Sequence, residues 1–165
     1  MQKTIKTLAI IAVILVAFAM LALLISIPLQ RVLATKVFHY PADMAYYLPI
    51  FPVEPFLRCL LLLGCTILLA VCAGKKGIIL PEILILCVMI LVIPALSSFL
   101  STTLIGLAGR LKGDIYVAAQ SLTAQISSYF LVTANLGNAL GLVACGMNMV
   151  HKRMSKKLDK LSTQA

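Results

Sequence analysis

Leu8–Leu29, LAIIAVILVAFAMLALLISIPL, is the stretch that decides the fold class. It carries no charged side chain, and Ser26 is its only interruption before Pro28. A bilayer core about 30 Å thick takes about 20 apolar residues of helix. The stretch therefore reads as a transmembrane helix ended by Pro28, with Lys3 and Lys6 ahead of it. A cleavable signal peptide is the competing reading, because Val32-Leu33-Ala34 has the look of a cleavage site. Signal cores run only about 7–15 residues, so an uncleaved helix is expected.

The rest of the chain has the same character. Of its 165 residues 62% are hydrophobic and 12% charged, and the mean hydropathy is +1.08. A soluble domain holds roughly 45–50% apolar and 25% charged residues. Two further apolar runs follow, Phe56 to Ala73 and Ile78 to Leu100. Between them lies Gly74-Lys75-Lys76-Gly77, a tight charged turn. Pro81 and Glu82 suit a first helical turn, where proline loses no bond and a carboxylate meets the positive dipole end. Pro94 lies deeper; it cannot donate to the carbonyl of Ile90, so it should kink the third helix. Ser97 and Ser98 are expected to help re-satisfy the freed backbone.

Gln30 to Pro55 is a different kind of segment. Four prolines exclude one continuous helix, and Phe38, His39, Tyr40, Tyr46, Tyr47 and Phe51 form an aromatic belt of the type found at membrane interfaces. Ser101 to Gly113 reads as a second connection on that side. From Asp114, a plausible N-cap, no glycine occurs before Gly137 and no proline follows, so one long fourth helix is expected. The expected architecture is all-α, a bundle of four transmembrane helices at about 8–29, 56–73, 78–100 and 115–150. They form a single transmembrane domain over 1–150, the fourth helix extends outside the bilayer, and 151–165 is a basic tail.

The charges orient the bundle. Nine of the fourteen Lys and Arg are Lys3, Lys6, Lys75, Lys76, Lys152, Arg153, Lys156, Lys157 and Lys160. Four crossings put all nine on one side, and the positive-inside rule makes that side cytoplasmic. The expected location is the cell membrane, with both termini in the cytoplasm. Lys152, Arg153, Lys156 and Lys157 are expected on the anionic cytoplasmic leaflet.

The fourth helix carries the most specific pattern. Ser127, Ala134, Asn138, Gly141, Cys145 and Asn148 recur at three-four spacing and share one face, while Tyr129, Val132, Leu136, Leu140, Val143, Met147 and Val150 occupy the other. Lipid is as apolar as leucine, so small and hydrogen-bonding residues mark the surface where helices meet. Gly137 and Gly141 add a small-x-x-x-small pair. A solute path along Asn135, Asn138 and Asn148 is the alternative, with Glu82 as an ion or proton site. Glu82 is expected instead to be balanced by Lys75 or Lys76.

Several chemistries find no support. The cysteines, Cys59, Cys65, Cys72, Cys87 and Cys145, lie in apolar runs without C-x-x-C or metal spacing, and read as packing residues. No nucleophile arrangement, phosphate-binding glycine loop or carboxylate pair stands out. The net charge of +9 lacks a basic groove with interleaved aromatics, which argues against nucleic acid. No catalytic residue, metal or cofactor is expected. The layout resembles that of claudins and tetraspanins, but the chain has no Trp and no loop cysteine pair, so no family follows. The reading that remains is a non-catalytic membrane protein, an accessory subunit or homo-oligomer packing through its fourth helix. A small transporter or channel component, including a holin-like pore, is the alternative.

Overall fold

A computed structural model describes residues 1–37, 39, 41, 53–73, 75, 79–112 and 114–164. Among these the regular structure is entirely helical, with no strand. The helices are α1 (Gln2–Lys36), α2 (Val53–Cys72), α3 (Leu80–Cys87), α4 (Ile93–Lys112), α5 (Asp114–Phe130) and α6 (Val132–Gln164). A π-helical turn, Val88–Val92, joins α3 to α4. Gln2–Ser26, Val53–Cys72 and Leu80–Gly106 are each long and apolar enough to cross a membrane. The pair α5–α6, bent by 50°, makes a fourth candidate if it counts as one span.

The core is the seam where α6 packs along α1, with α2 and α3 closing over it. Its buried side chains include Ala9, Val16, Ala19, Leu62, Leu69, Met89, Ala134 and Ala144. Small residues dominate on α1 and α6, as expected where helices approach closely without a hydrophobic drive from water. Large apolar residues face outward, among them Phe18, Leu68, Leu91 and Phe99. Outside a lipid environment such a surface would be a liability.

Four expectations are corrected. Pro28 does not end the first helix, which continues to Lys36. Proline is tolerated in apolar helices, where neighbouring groups and local adjustment absorb the missing donor; just before it the Ser26 hydroxyl is itself satisfied by the Leu23 carbonyl at 2.7 Å. Ser101–Lys112 is helix, not a connection. The Thr102 hydroxyl is satisfied by the Ser98 carbonyl at 2.9 Å, and serine, threonine and single glycines weaken a helix without breaking it. The expected fourth helix is two helices, broken at Leu131. The Leu131 N–H is shared between the carbonyls of Ser127 and Ser128, at 3.2 Å each. The Ser128 hydroxyl donates to the Gln125 carbonyl at 2.6 Å and that of Thr133 to Phe130 at 3.4 Å. Such back-bonding bends helices. Finally, the last helix does not stop near Val150, because α6 continues unbroken through the basic segment to Gln164.

Pro94 deforms its helix as expected, but through the turn before it. The Ile93 N–H reaches back five residues to the Val88 carbonyl, and a widened π turn of this kind is a recognised way to absorb a helix disruption. The aromatic stretch from Phe38 to Phe51 lies outside the described residues except for His39, which is exposed at φ 54°. Gly74, Lys76, Gly77 and Gly113 are likewise outside them.

Candidate functional site

Two polar clusters sit at opposite ends of the α1–α6 seam. The first is built on α3. Ile79 caps this helix and Pro81 pre-sets its first turn, so Glu82 occupies the third helical position. Its side chain is wholly buried. One carboxylate oxygen, Oε1, accepts from Asn148 Nδ2 at 2.8 Å and pairs with Lys152 Nζ at 2.6 Å. The Cys145 thiol donates to the Glu82 carbonyl at 3.4 Å, and Asn148 Nδ2 also lies 3.5 Å from the Cys72 carbonyl. Cys145, Asn148 and Lys152 follow three-four spacing on α6, so one helix face ties the end of α2 to the start of α3. The other oxygen, Oε2, is buried without a hydrogen-bond partner.

A buried carboxylate is costly unless paired and hydrogen-bonded. Two corrections follow. Glu82 is matched by Lys152, not by Lys75, which is exposed, and Lys76 lies outside the described residues. Lys152 is itself buried, its charge held against Glu82 and not open to solvent, whereas Arg153, Lys156 and Lys157 are exposed. The sequence held the signal, since Lys152 extends the Gly141, Cys145, Asn148 stripe by one turn.

The second cluster joins α2 to α4 and α6. Arg58 Nη2 donates to Asn135 Oδ1 at 2.7 Å. The Ser97 hydroxyl donates to the Glu54 carboxylate, so Ser97 serves α2 and not the carbonyl freed by Pro94. Arg58 Nε and Asn138 Oδ1 are buried without partners. A cleft beside Glu54, lined in part by Pro55, Ser101 and Thr123, has a volume of about 30 Å³. That is room for about one water.

Between the clusters the seam is closed. A Cβ on Gly137 would fall 2.7 Å from Val16 Cγ2 and 3.0 Å from the Ala12 carbonyl oxygen. One on Gly141 would fall 3.0 Å from Met89 Cε and 3.5 Å from Thr66 Cγ2. Ser127, Ala134, Cys145 and Asn148 are fully buried, Asn138 is half-buried, and Asn135 is exposed apart from its bond to Arg58. Tyr129, Val132, Leu136, Val143 and Val150 are exposed, while Leu140 and Met147 are half-buried. All five cysteines are free thiols. Among the described residues no three His, Cys, Asp or Glu gather as a metal site requires. Comparison with protein families, curated proteins and solved structures gives no match to this chain.

Proposed function

We propose that the chain is a four-span membrane bundle, with α1, α2, α3–α4 and α5–α6 each crossing once. Both termini lie in the cytoplasm, and the protein works without catalysis as an accessory subunit or homo-oligomer. The observation that carries this is the packed seam: Ala12, Val16, Thr66 and Met89 stand against Gly137 and Gly141, leaving no room there for a solute. The orientation is supported by the register of the seam. Ala12 and Val16 run opposite to Gly141 and Gly137, so the start of α1 lies toward the basic end of α6. Lys75 follows Cys72, whose carbonyl Asn148 approaches. Lys3, Lys6 and Lys75, all exposed, thus share that end and would face the anionic cytoplasmic leaflet.

The small-residue stripe of α6 packs inside the chain, so association falls to the outward face of α6. Light scattering of the purified protein, with lipid and detergent subtracted, gives its oligomeric mass. A strict monomer that pulls down no membrane polypeptide would overturn the reading. The transporter reading keeps one observation, the buried Glu82 with its unpartnered oxygen, because a buried ionisable group in a membrane helix is costly and often functional. Proton or potassium flux into liposomes above the empty-vesicle rate, lost in Glu82→Gln, would favour it.

A further inference from the structure

The outward face of α6 does not stop where the packed seam stops. Val143 and Val150 are 54% and 51% exposed alongside the bundle, and Met154, Leu158 and Leu161 continue the face at 54%, 64% and 64%. All lie on one unbroken helix, α6. Lipid covers the first two if the chain spans a membrane as proposed above. The last three lie beyond Lys152, the final buried residue of the seam. Twelve residues from Lys152 to Gln164 carry the helix about 18 Å further at 1.5 Å per residue. The apolar row of Met154, Leu158 and Leu161 there has no lipid to cover it unless the helix breaks.

The neighbouring row tells what would cover it. Arg153, Lys157 and Lys160 repeat the same four-three spacing one position earlier, so a basic row runs beside the apolar one. With Lys156 there are four exposed cations against one carboxylate, Asp159, a net charge of +3 on this segment. A second copy brings the same four cations and offers no acidic row.

We propose that this projecting end of α6 docks an acidic amphipathic helix of a partner protein, whose apolar row meets Met154, Leu158 and Leu161 and whose carboxylates meet Arg153, Lys157 and Lys160. Opposite rows on packed helices set partner choice and orientation in this way. The inference rests on the membrane-spanning orientation given above and names the partner chemistry that the orientation leaves open.

The test uses the full chain in nanodiscs of neutral phosphatidylcholine, whose two faces are both open to solution. The probes are two synthetic helical peptides with leucines at four-three spacing, one flanked by glutamates and one by lysines. The acidic peptide should bind at least about tenfold more tightly, equal to about 1.4 kcal/mol, and should weaken as salt rises. Leu158→Ser should lose the binding. Arg153→Glu with Lys157→Glu should transfer the preference to the lysine peptide. Equal binding of both peptides, or no effect of Leu158→Ser, overturns the proposal. So does copy-to-copy disulfide formation by Leu158→Cys, which would assign the face to a second copy. Burial of a bimane at position 158 in phosphatidylserine nanodiscs without peptide would assign it to the bilayer and has the same consequence. Labelling of Lys157→Cys from outside intact cells would remove the orientation alone and leave the docking result standing.

Discussion

Lys152 and Glu82 stand 2.6 Å apart with both side chains out of solvent, and this pair decides how the basic end of α6 is held. Removing one member of a buried pair strands the other charge and costs about 3–5 kcal/mol, whereas replacing both with apolar residues is often near neutral. Lys152→Met should therefore destabilise strongly, and Glu82→Leu with Lys152→Met should recover most of the loss. Thermal unfolding in detergent reads both; a single Lys152→Met variant as stable as the parent would mean the pair does not form. Glycines give the second contrast at this scale. Gly137 faces the Ala12 backbone, which cannot swing away, while Gly141 faces the flexible end of Met89. Gly137→Ala should cost about 1–3 kcal/mol by overpacking, and Gly141→Ala less. Gly146→Ala, which meets nothing within 4 Å, should be neutral or gain up to about 1 kcal/mol from helix propensity. Equal melting temperatures for the Gly137 and Gly146 variants would refute the close approach. The three-four spacing made the stripe legible from sequence. It did not rank the two glycines, because the ranking depends on whether backbone or side chain stands opposite.

Helix existence was more legible than helix ends. The apolar runs locate α1, α2 and α3–α4, yet each described helix outruns or shifts from its run. Hydropathy marks what lipid can cover, while hydrogen bonding sets where the helix stops. Ser101–Lys112 reads as a loop by its serines, threonines and glycines, yet is helical, because these residues lower helix propensity without forbidding the conformation as an interior proline does. The break at Leu131 has no glycine or proline to announce it. Beside it the hydroxyls of Ser128 and Thr133 bond back to the carbonyls of Gln125 and Phe130, and back-bonding of this kind often bends a helix. Ser128→Ala with Thr133→Ala should then straighten the pair. Spin labels at Ala124 and Leu158 would move apart by about 3 Å on full straightening, from the helical rise along two arms now bent by 50°. An unchanged distance would assign the bend to packing of Leu131, which is buried, instead of to the hydroxyls.

At the scale of the whole molecule the charge distribution makes the strongest demand. Nine of fourteen cations fall on the N-terminus, the segment after α2 and the end of α6. The seam brings these segments toward one end: α1 runs antiparallel to α6 along Ala12 and Gly141, and Asn148 reaches the end of α2. Lys152 is removed from this tally as an interface charge because Glu82 neutralises it. Eight cations remain against Arg31, Lys36, Arg58, Arg110 and Lys112, so the bias weakens without reversing. In a cysteine-free background, Lys75→Cys and Lys157→Cys should react with an impermeant maleimide only after the membrane is opened. His39→Cys and Arg110→Cys, both at exposed positions, should react in intact cells. The pairing of sites matters. If positions 75 and 157 label from outside together, the bundle is inverted but its four crossings hold. If they label from opposite sides, the bent α5–α6 pair does not cross as one span, and the basic end of α6 cannot share a face with the start of α3. That outcome would contradict the 2.6 Å contact between Glu82 and Lys152 as well as the orientation, so one labelling experiment tests the fold and the topology together.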